Sequence, residues 1–337
     1  MNVVNPQWAS VDVQNAIISQ LKTAGVRVIR VPLTPSDKDI DFAKRAFAQG
    51  IQIDAIIKLQ YPQDAPTRPY QPEKFPHMWS GSPLSFADPE LSKAQFQKLI
   101  EKLEASGITL AGLELGNEIN QAAFNADFPL PGEGITFGLN DLYHDPEAKQ
   151  IAKGFLQYLK VLAELKDVRD HSKLNQRTPI ISAGLAGGGP EGHSPQKKKD
   201  SVSINATLQF LRTHGLDSLV DAYGVHTYPW NGGTPENRKM SLEKYVIAEC
   251  GHVNSRTGKP CWITEWGIVN DNISCPVDDT GRSPIVGEIM DDFREFAKQG
   301  RLTAALYFSW NMDPASKRSD VYRCGNLTES GKLALLP

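Results

Sequence analysis

Short apolar runs alternate along the chain with longer segments whose apolar residues recur at helical spacing. Residues 26–31 form a run rich in β-branched side chains, and residues 37–49 after it have the pattern of an amphipathic helix. The alternation continues to the end of the chain. It predicts strands at 26–31, 51–59, 110–115, 179–185, 220–225, 261–264 and 302–308, and helices at 11–24, 37–49, 89–106, 146–171, 204–214, 241–253, 284–299 and 328–337.

The predicted strands are apolar on both faces, which is typical of parallel strands buried under helices. Seven strands, with an eighth short strand at Val3 and Val4, match the unit count and the length of a (β/α)8 barrel. We therefore expect an α/β fold, a single (β/α)8 TIM barrel that forms one domain over residues 1–337. A doubly wound open sheet uses the same alternation and stays as the alternative.

Two connections are much longer than the others, residues 60–88 and residues 119–145. They follow the third and fourth predicted strands, so both lie at the carboxyl ends of the strands, where the functional sites of barrels are built. Loops of this length are usually walls or lids of such sites.

The composition excludes several classes of protein. The 337 residues include 36 Lys and Arg against 39 Asp and Glu, which gives a net charge of −3 and no basic stripe for a nucleic acid. No run of 18 apolar residues is present, so we expect no membrane-spanning helix. The scattered histidines lack the spacing of a zinc site, and no nucleotide-binding motif is present, so we expect neither a metal nor another cofactor.

Two glutamates follow apolar strands at places that face each other across a barrel. Glu118 ends the fourth predicted strand in an Asn-Glu pair with Asn117, and Glu265 ends the seventh. Strands four and seven lie on opposite sides of the mouth. Two facing carboxylates suit glycoside hydrolysis, in which one protonates the departing oxygen and the other attacks the anomeric carbon or activates water.

Four further side chains stand at strand ends around this pair, and with them the chain resembles the retaining glycoside hydrolases of clan A. They are Arg30, His226, Tyr228 and Trp310. Families 5, 39 and 53 are nearest in pattern, and the matching positions run from Arg30 to Trp310. Where many members have Trp and Pro around the Asn-Glu pair, this chain has Gly116 and Ile119.

The resemblance implies a role for each matching residue. It makes Glu118 the acid/base and Glu265 the nucleophile, and it assigns Asn117 to the sugar 2-hydroxyl. Arg30 and Tyr228 would contact the nucleophile, while His226 and Trp310 would line the sugar site.

Simpler interpretations remain open for several of these residues. Arg30 also fits an ion pair in the barrel mouth, His226 a core histidine, and Trp310 a packing residue. Trp230, Trp266 and Trp79 are candidates for the edge of the sugar site, but the aromatic residues of the 60–88 loop also fit packing anchors. Trp262 points away from its neighbours in the strand, which favours the outer core.

The four cysteines form no Cys-x-x-Cys pair, and their positions suggest two disulfides. Cys275 and Cys324 lie in the loops after the last two strands, while Cys250 and Cys261 flank the turn into the seventh strand. Four reduced thiols in a cytoplasmic enzyme are the alternative. Paired cysteines fit an oxidising compartment, so we expect a secreted or periplasmic protein whose leader is absent from this chain, with a cytoplasmic location as the alternative.

Taken together, the sequence predicts a monomeric retaining β-glycoside hydrolase that acts on β-linked oligo- or polysaccharides. The expected partner is a carbohydrate, with neither a nucleic acid nor a membrane. A transglycosylase on the same site and a carbohydrate-binding barrel without catalysis are the alternatives. Neither the sugar nor the choice between endo and exo action follows from the sequence.

Overall fold

The computed structural model describes residues 1–336 except 188, 195, 197, 254–255, 273 and 312–317. The helices are α1 Val11–Thr23, α2 Asp37–Ala48, α3 Pro89–Ala105, α4 Asp141–His144, α5 Pro146–Asp170, α6 Ile204–Thr213, α7 Pro235–Tyr245, α8 Ser283–Lys298 and α9 Glu329–Ala334. The strands are β1 Val28–Pro32, β2 Gln52–Ile57, β3 Gly112–Leu115, β4 Ile135–Phe137, β5 Ile180–Ile181, β6 Gly192–His193, β7 Ser201–Val202, β8 Tyr223–Thr227, β9 His252–Val253, β10 Arg256–Thr257, β11 Cys261–Trp266, β12 Leu302–Tyr307, β13 Tyr322–Arg323 and β14 Asn326–Leu327.

Most helices begin at a side chain that caps them. The Ser36 hydroxyl accepts a hydrogen bond from Asp39 N at the start of α2, and the Asp145 carboxylate accepts from Glu147 N and Ala148 N at the start of α5. Such caps satisfy backbone donors that the first turn leaves free. They explain why these helices begin within one residue of the predicted positions.

Two parallel sheets form the centre of the fold. Their strand orders are β1-β2-β3-β5 and β8-β11-β12. Parallel bridges at Ile181–Ala222 and Leu185–Val225 connect β5 and the segment after it with β8 and the residue before it. On the other side, Asn2 forms a parallel bridge with Arg30 and donates its backbone N–H to Tyr307 O at 2.8 Å. The predicted α/β architecture with parallel strands is confirmed.

The core has two parts. One large cluster lies between strands and helices, and a small separate cluster contains Ile181, Ala222 and Trp262. A Cβ on Gly112 would lie 3.2 Å from the Trp262 ring and 2.5 Å from Ile181 Cδ1, so the glycine makes room for both. Trp262 is therefore a core residue, as expected, although it packs in the small cluster and not in the large one.

One predicted helix is wrong in both its bounds. Residues 241–253 were expected to be helical, but α7 begins at Pro235 and ends at Tyr245, and Val253 lies in the β9–β10 hairpin. The Thr234 hydroxyl accepts a hydrogen bond from Asn237 N, and Pro235 occupies the first helical position. That pair is a helix-start signal.

The two long connections contain short elements of their own. A short 3-10 helix, Leu84–Phe86, precedes α3. The connection after β3 contains β4 and α4, and β4 pairs with β6 and β7 in a small sheet. An antiparallel bridge between Gln121 and Ser201 connects this sheet to the turn after Glu118.

Two disulfides are present. Cys250 pairs with Cys261 at a Cα–Cα distance of 5.4 Å, and Cys275 pairs with Cys324 at 5.8 Å. The first connects the segment after α7 to the start of β11. The second connects the loop after β11 to the β13–β14 hairpin.

Candidate active site

The turn that carries Glu118 has an unusual backbone. Gly116 has φ +80° and Glu118 has φ +45°, and a residue other than glycine rarely adopts the left-handed region. Glu118 N donates to Gly184 O at 2.8 Å, which connects the turn to the strand region after β5. The glycine at position 116 follows from this geometry, and the strained Glu118 stands where a functional residue is expected.

The side chain of Asn120 holds the same turn in place by hydrogen bonds. Its fully buried side chain donates to Ala186 O and to Val202 O at 2.7 Å each, and its Oδ1 accepts from Ala186 N at 3.1 Å. These three hydrogen bonds link the Glu118 turn to the segment after β5 and to β7. No pattern in the sequence distinguishes Asn120, since an Asn two residues after a strand-end Glu resembles any loop residue.

Glu265 reaches the site through a β-bulge in β11. Ile263 pairs with Val225 and Glu265 with His226, so one extra residue, Thr264, is inserted against β8. A bulge lets two successive side chains point to the same side of a strand. Thr264 and Glu265 both contact the inner polar residues, and Trp266 is turned outwards.

Arg30 is the central cation of the site. Its guanidinium donates to Glu265 Oε1 at 2.5 Å, to Asn117 Oδ1 at 2.8 Å and, through two nitrogens, to Glu114 at 2.5 and 2.9 Å. It also donates to Asn2 Oδ1 at 3.1 Å. Burial would lower the pKa of Arg30, but the carboxylates of Glu114 and Glu265 outweigh burial and raise it. The cation is therefore permanent.

The surroundings of Glu265 favour its charged form. Burial alone would raise the pKa of Glu265, but the charges of His226 and Arg30 and the hydrogen bonds from Tyr228 and Arg30 lower it below the ordinary value. The Tyr228 hydroxyl donates to Glu265 Oε2 at 2.6 Å. Burial and the Glu265 charge raise the pKa of Tyr228, so its phenol keeps the proton that it donates.

His226 lies between the two glutamates. Its Nδ1 is 2.9 Å from Glu118 Oε1 and 3.8 Å from Glu265 Oε2, and its Nε2 is 3.1 Å from Thr264 Oγ1. A Cβ on Gly184 would lie 2.0 Å from that Nε2, so only glycine leaves space for the imidazole. The ring is fully buried, and both nitrogens have partners.

Beneath the site lie two buried carboxyl groups that the sequence analysis passed over. Glu114 accepts from Arg30, from Gly184 N at 2.9 Å and from Thr264 Oγ1 at 3.2 Å. Asp54 pairs in register with Arg30, but neither of its carboxyl oxygens has a hydrogen-bond partner in the described part of the chain. Burial and the nearby Glu114 raise the pKa of Asp54 to about 8.

The signal for both residues was in the sequence. Each is an ionisable residue inside an apolar strand, as Arg30 is in its own strand. A buried charge needs a partner, so three such residues on neighbouring strands predict a buried ionic layer.

Glu118, His226 and Glu265 are the one group in the described residues whose ligand atoms are close enough for a metal ion, all within 4.8 Å of one another. However, Arg30 and Tyr228 already donate to the two oxygens of Glu265. A permanent cation 2.5 Å from a ligand atom opposes the binding of a second cation. This donor set therefore fits acid–base and nucleophilic chemistry better than metal binding.

The structure contradicts the predicted substrate contacts of two tryptophans. Trp266 is fully buried in the main core, where its ring packs edge-on against Phe293 and Tyr307. The bulge before it turns its side chain towards α8. Trp310 is also fully buried, and its ring stacks on Tyr322 with centroids 4.9 Å apart, so it is a packing residue.

The two other tryptophans are exposed. Trp230 is 75% exposed, and Trp79 is 45% exposed and stacks on Tyr70 with centroids 5.7 Å apart. Trp79 N donates to Ala123 O at 3.1 Å, which places the 60–88 loop beside the segment after Glu118. Phe308, which the sequence analysis did not select, packs edge-on against Tyr228 and is the aromatic residue next to the Glu265 contacts.

Comparison with known proteins identifies the fold but no close relative. No protein-family model and no curated protein matches the chain in sequence. Among solved structures, a fungal β-1,4-galactanase is 15% identical with a TM-score of 0.56, and the match covers 96% of this chain and 90% of that one. The exo-β-1,4-mannosidase Op5Man5 from Opitutaceae bacterium strain TAV5 is 12% identical with a TM-score of 0.56, covering 99% and 58%. An endocellulase from Pyrococcus horikoshii is 14% identical with a TM-score of 0.53, covering 95% and 85%.

At these identities the likeness establishes the fold alone. The solved structures that share the fold are glycoside hydrolases, the same group that the strand-end residues resemble in sequence. Among the described residues, none of the helices is both long and apolar enough to cross a membrane.

Proposed function

We propose that the chain is a retaining β-glycoside hydrolase in which Glu118 is the acid/base and Glu265 the nucleophile. The observation that carries the proposal is that the two carboxylates, which lie close together, have different hydrogen-bond partners. Arg30 and Tyr228 hold Glu265 ionised, while Glu118 contacts the imidazole of His226. Environments that differ in this way assign different roles to the two groups of an acid/base pair.

The geometry supports retention of the anomeric configuration. A carboxylate oxygen of Glu118 and one of Glu265 lie within 4.8 Å of each other. Retaining enzymes hold their carboxyl groups about 5 to 5.5 Å apart, whereas inverting enzymes leave about 6.5 to 9.5 Å for a water molecule.

The reaction has two displacements. First, a Glu265 oxygen attacks the anomeric carbon while Glu118 gives its proton to the glycosidic oxygen, so the bond between that carbon and oxygen breaks and a glycosyl ester forms on Glu265. Then Glu118 takes a proton from water, whose oxygen attacks the same carbon and releases the Glu265 carboxylate. Arg30 and Tyr228 stabilise that carboxylate before and after the ester, and Arg30 also holds Asn117 by a hydrogen bond to its Oδ1.

We further infer that the two parallel sheets form one (β/α)8 barrel and that residues 1–337 make a single catalytic domain. The bridges between β5 and β8 and around Asn2 support a closed ring of parallel segments. All four cysteines are paired, which fits a secreted or periplasmic enzyme. We also propose that it acts as a monomer on neutral carbohydrate.

Turnover on a panel of β-glucans, mannans, galactans and xylans tests the proposal. The wild-type chain should release sugars or oligosaccharides from at least one of them, and Glu265→Ala should release none. Full turnover by Glu265→Ala would overturn the mechanism. Binding of glycans by the wild type without any turnover would instead support a carbohydrate-binding barrel.

A further inference from the structure

Thr264 is a fully buried residue whose hydroxyl has no part in the two displacements described above. It is the inserted residue of the β-bulge in β11, which turns its side chain to the same side as that of Glu265. Its Oγ1 lies 3.1 Å from His226 Nε2 and 3.2 Å from Glu114 Oε1. A hydroxyl has one proton to donate, so the positions of the protons in this group follow from which partners can accept one.

Glu114 can only accept a hydrogen bond from this hydroxyl. Two nitrogens of Arg30 donate to its oxygens at 2.5 and 2.9 Å, and Gly184 N donates to Oε1 at 2.9 Å. A carboxyl group that is held in this way by a permanent guanidinium cation is ionised and has no proton to give. The Thr264 hydroxyl therefore donates its one proton to Glu114.

The Thr264 oxygen is then left as an acceptor towards His226. The hydrogen bond of 3.1 Å between them requires a proton on His226 Nε2. The imidazole is fully buried, so this proton has no competing acceptor in solvent. Thr264 thus determines which ring nitrogen always carries a proton.

A proton on Nε2 leaves the other ring nitrogen, Nδ1, for Glu118. Nδ1 lies 2.9 Å from Glu118 Oε1, whereas Glu265 Oε2 is 3.8 Å away, beyond hydrogen-bond distance. The contact of 2.9 Å needs one proton, which lies either on Glu118 beside a neutral ring or on Nδ1 of a charged ring. In the second case the charge of His226 acts on Glu265, and it is one of the causes that lower the pKa of Glu265.

We propose that Thr264 is a positioning residue for the acid/base: its hydroxyl keeps a proton on His226 Nε2 and so reserves Nδ1 for the proton that Glu118 exchanges. The inference rests on the proposed function of Glu118 and deepens it. In the first displacement the exchanged proton passes to the glycosidic oxygen, and the Glu118 carboxylate is left facing the lone pair of Nδ1. A carboxylate without a donor is a stronger base, which the second displacement requires when Glu118 takes a proton from water.

NMR of the ring nitrogens tests the proton on Nε2 without any substrate. The protein is labelled with nitrogen-15 histidine, and long-range proton–nitrogen correlation spectra at neutral pH show which nitrogens are protonated. His226→Gln identifies the signal among the seven histidines. The wild type should have a proton on Nε2. Thr264→Val keeps the shape of the side chain but removes the acceptor, so the proton should move to Nδ1 and donate to Glu118.

Kinetics shows whether this proton matters to the acid. The substrates are the panel glycan that the wild type cleaves best and an aryl glycoside of the same sugar with a good leaving group. Thr264→Val should lower kcat/KM about tenfold for the glycan and about twofold or less for the aryl glycoside, which needs no proton. Thr264→Ser retains the hydroxyl and should keep both the Nε2 proton and the rate on the glycan.

Thr207→Val is the matched control. It also removes the hydroxyl of a fully buried threonine, one that donates to Ser203 O at 2.8 Å in the first turn of α6. It should change neither the His226 signal nor the ratio of the two rates. Thermal unfolding shows whether each variant is folded, and the wild-type spectrum alone decides the position of the proton if Thr264→Val is not.

The outcomes distinguish the two proposals. An Nε2 without a proton in the wild type, an Nε2 proton that persists in Thr264→Val, or equal losses from Thr264→Ser and Thr264→Val overturns the role of Thr264. Equal losses on the glycan and the aryl glycoside also overturn it, because the hydroxyl then supports only the fold. A wild type that has the Nε2 proton but cleaves no glycan overturns the proposed function and leaves the assignment of the His226 proton standing.

Discussion

The turn that carries Glu118 and the bulge that carries Glu265 solve two different problems at the ends of β3 and β11, which belong to different sheets. Glu265 receives hydrogen bonds from a permanent cation and a phenol, whereas the Glu118 carboxylate contacts the imidazole of His226. The backbone is also unlike: Glu118 lies in a left-handed conformation, and Glu265 follows an inserted residue. A nucleophile must stay charged, while an acid/base must gain and lose a proton, so the dense donor set belongs at Glu265 and the sparse one at Glu118.

The largest expected difference comes from removing each carboxylate in turn. Glu265→Ala should lose on the order of 10⁵-fold in kcat for every substrate, because no glycosyl ester can form. Glu118→Ala should lose about 10²- to 10⁴-fold for natural glycans but much less for aryl glycosides with good leaving groups, which need no proton. Steady-state kinetics on both substrate types checks this.

Glu90→Ala, at the exposed start of α3, is the matched control and should behave as the wild type. Equal losses from Glu118→Ala on both substrate types would contradict its role as the acid.

The next effect tests what holds the Glu118 turn in place. Asn120→Ala removes three buried hydrogen bonds and should lower kcat about 10- to 100-fold, since small misplacements of a catalytic group have effects of that size. As a positioning residue for the acid, it should affect poor leaving groups more than good ones.

Asn205→Ala serves as the control, because that Asn donates to Lys244 O away from the site. A uniform loss across all leaving groups would mean that Asn120 supports the fold and not the acid.

The Tyr228→Phe variant sharpens the comparison on the Glu265 side. It removes one hydrogen bond that lowers the pKa of Glu265, so that pKa should rise. The acidic limb of kcat/KM should then move to higher pH, and the rate at the optimum should fall about tenfold, as expected for a hydrogen bond to a charged group. A pH–rate profile checks this, and an unmoved acidic limb would contradict it.

The smallest expected effect on activity concerns Asp54, whose carboxyl oxygens accept no hydrogen bond from the residues that the structure describes. Its pKa is raised to about 8 in the fold by burial and by Glu114, against about 4 in an unfolded chain. The folded state therefore binds the extra proton between these values, so the stability that Asp54 contributes is complete below pH 4 and is lost as pH rises to about 8.

Asp54→Asn should remove that dependence. The melting temperature of the variant should therefore rise relative to that of the wild type as pH increases from 5 to 9. Melting curves across that range check this. A constant difference between the two proteins would show that Asp54 does not titrate there.

The sequence predicted the strands and helices well where caps and apolar runs determine them, as at Ser36 and in β1. The sequence also predicted that six strand-end residues lie together, because the carboxyl ends of parallel strands share an edge. They are Arg30, Asn117, Glu118, His226, Tyr228 and Glu265. The predicted positions of Trp266 and Trp310 were wrong because contacts between distant parts of the chain decide where these side chains lie. The bulge at Thr264 changes the alternation of side chains, and such an insertion depends on pairing with β8, which no single strand reveals. Trp310 is buried because Asn2 and Tyr322, distant in sequence, pack around it.

The anomeric configuration of the first-formed product tests the central claim most directly. Proton NMR is recorded within minutes of adding the wild-type enzyme to a β-linked glycan that it cleaves, before mutarotation equilibrates the product. Double displacement on Glu265, with Glu118 as acid and then base, predicts that the new reducing end appears first as the β-anomer. First appearance of the α-anomer would mean single displacement by water and would contradict the role of Glu265 as nucleophile.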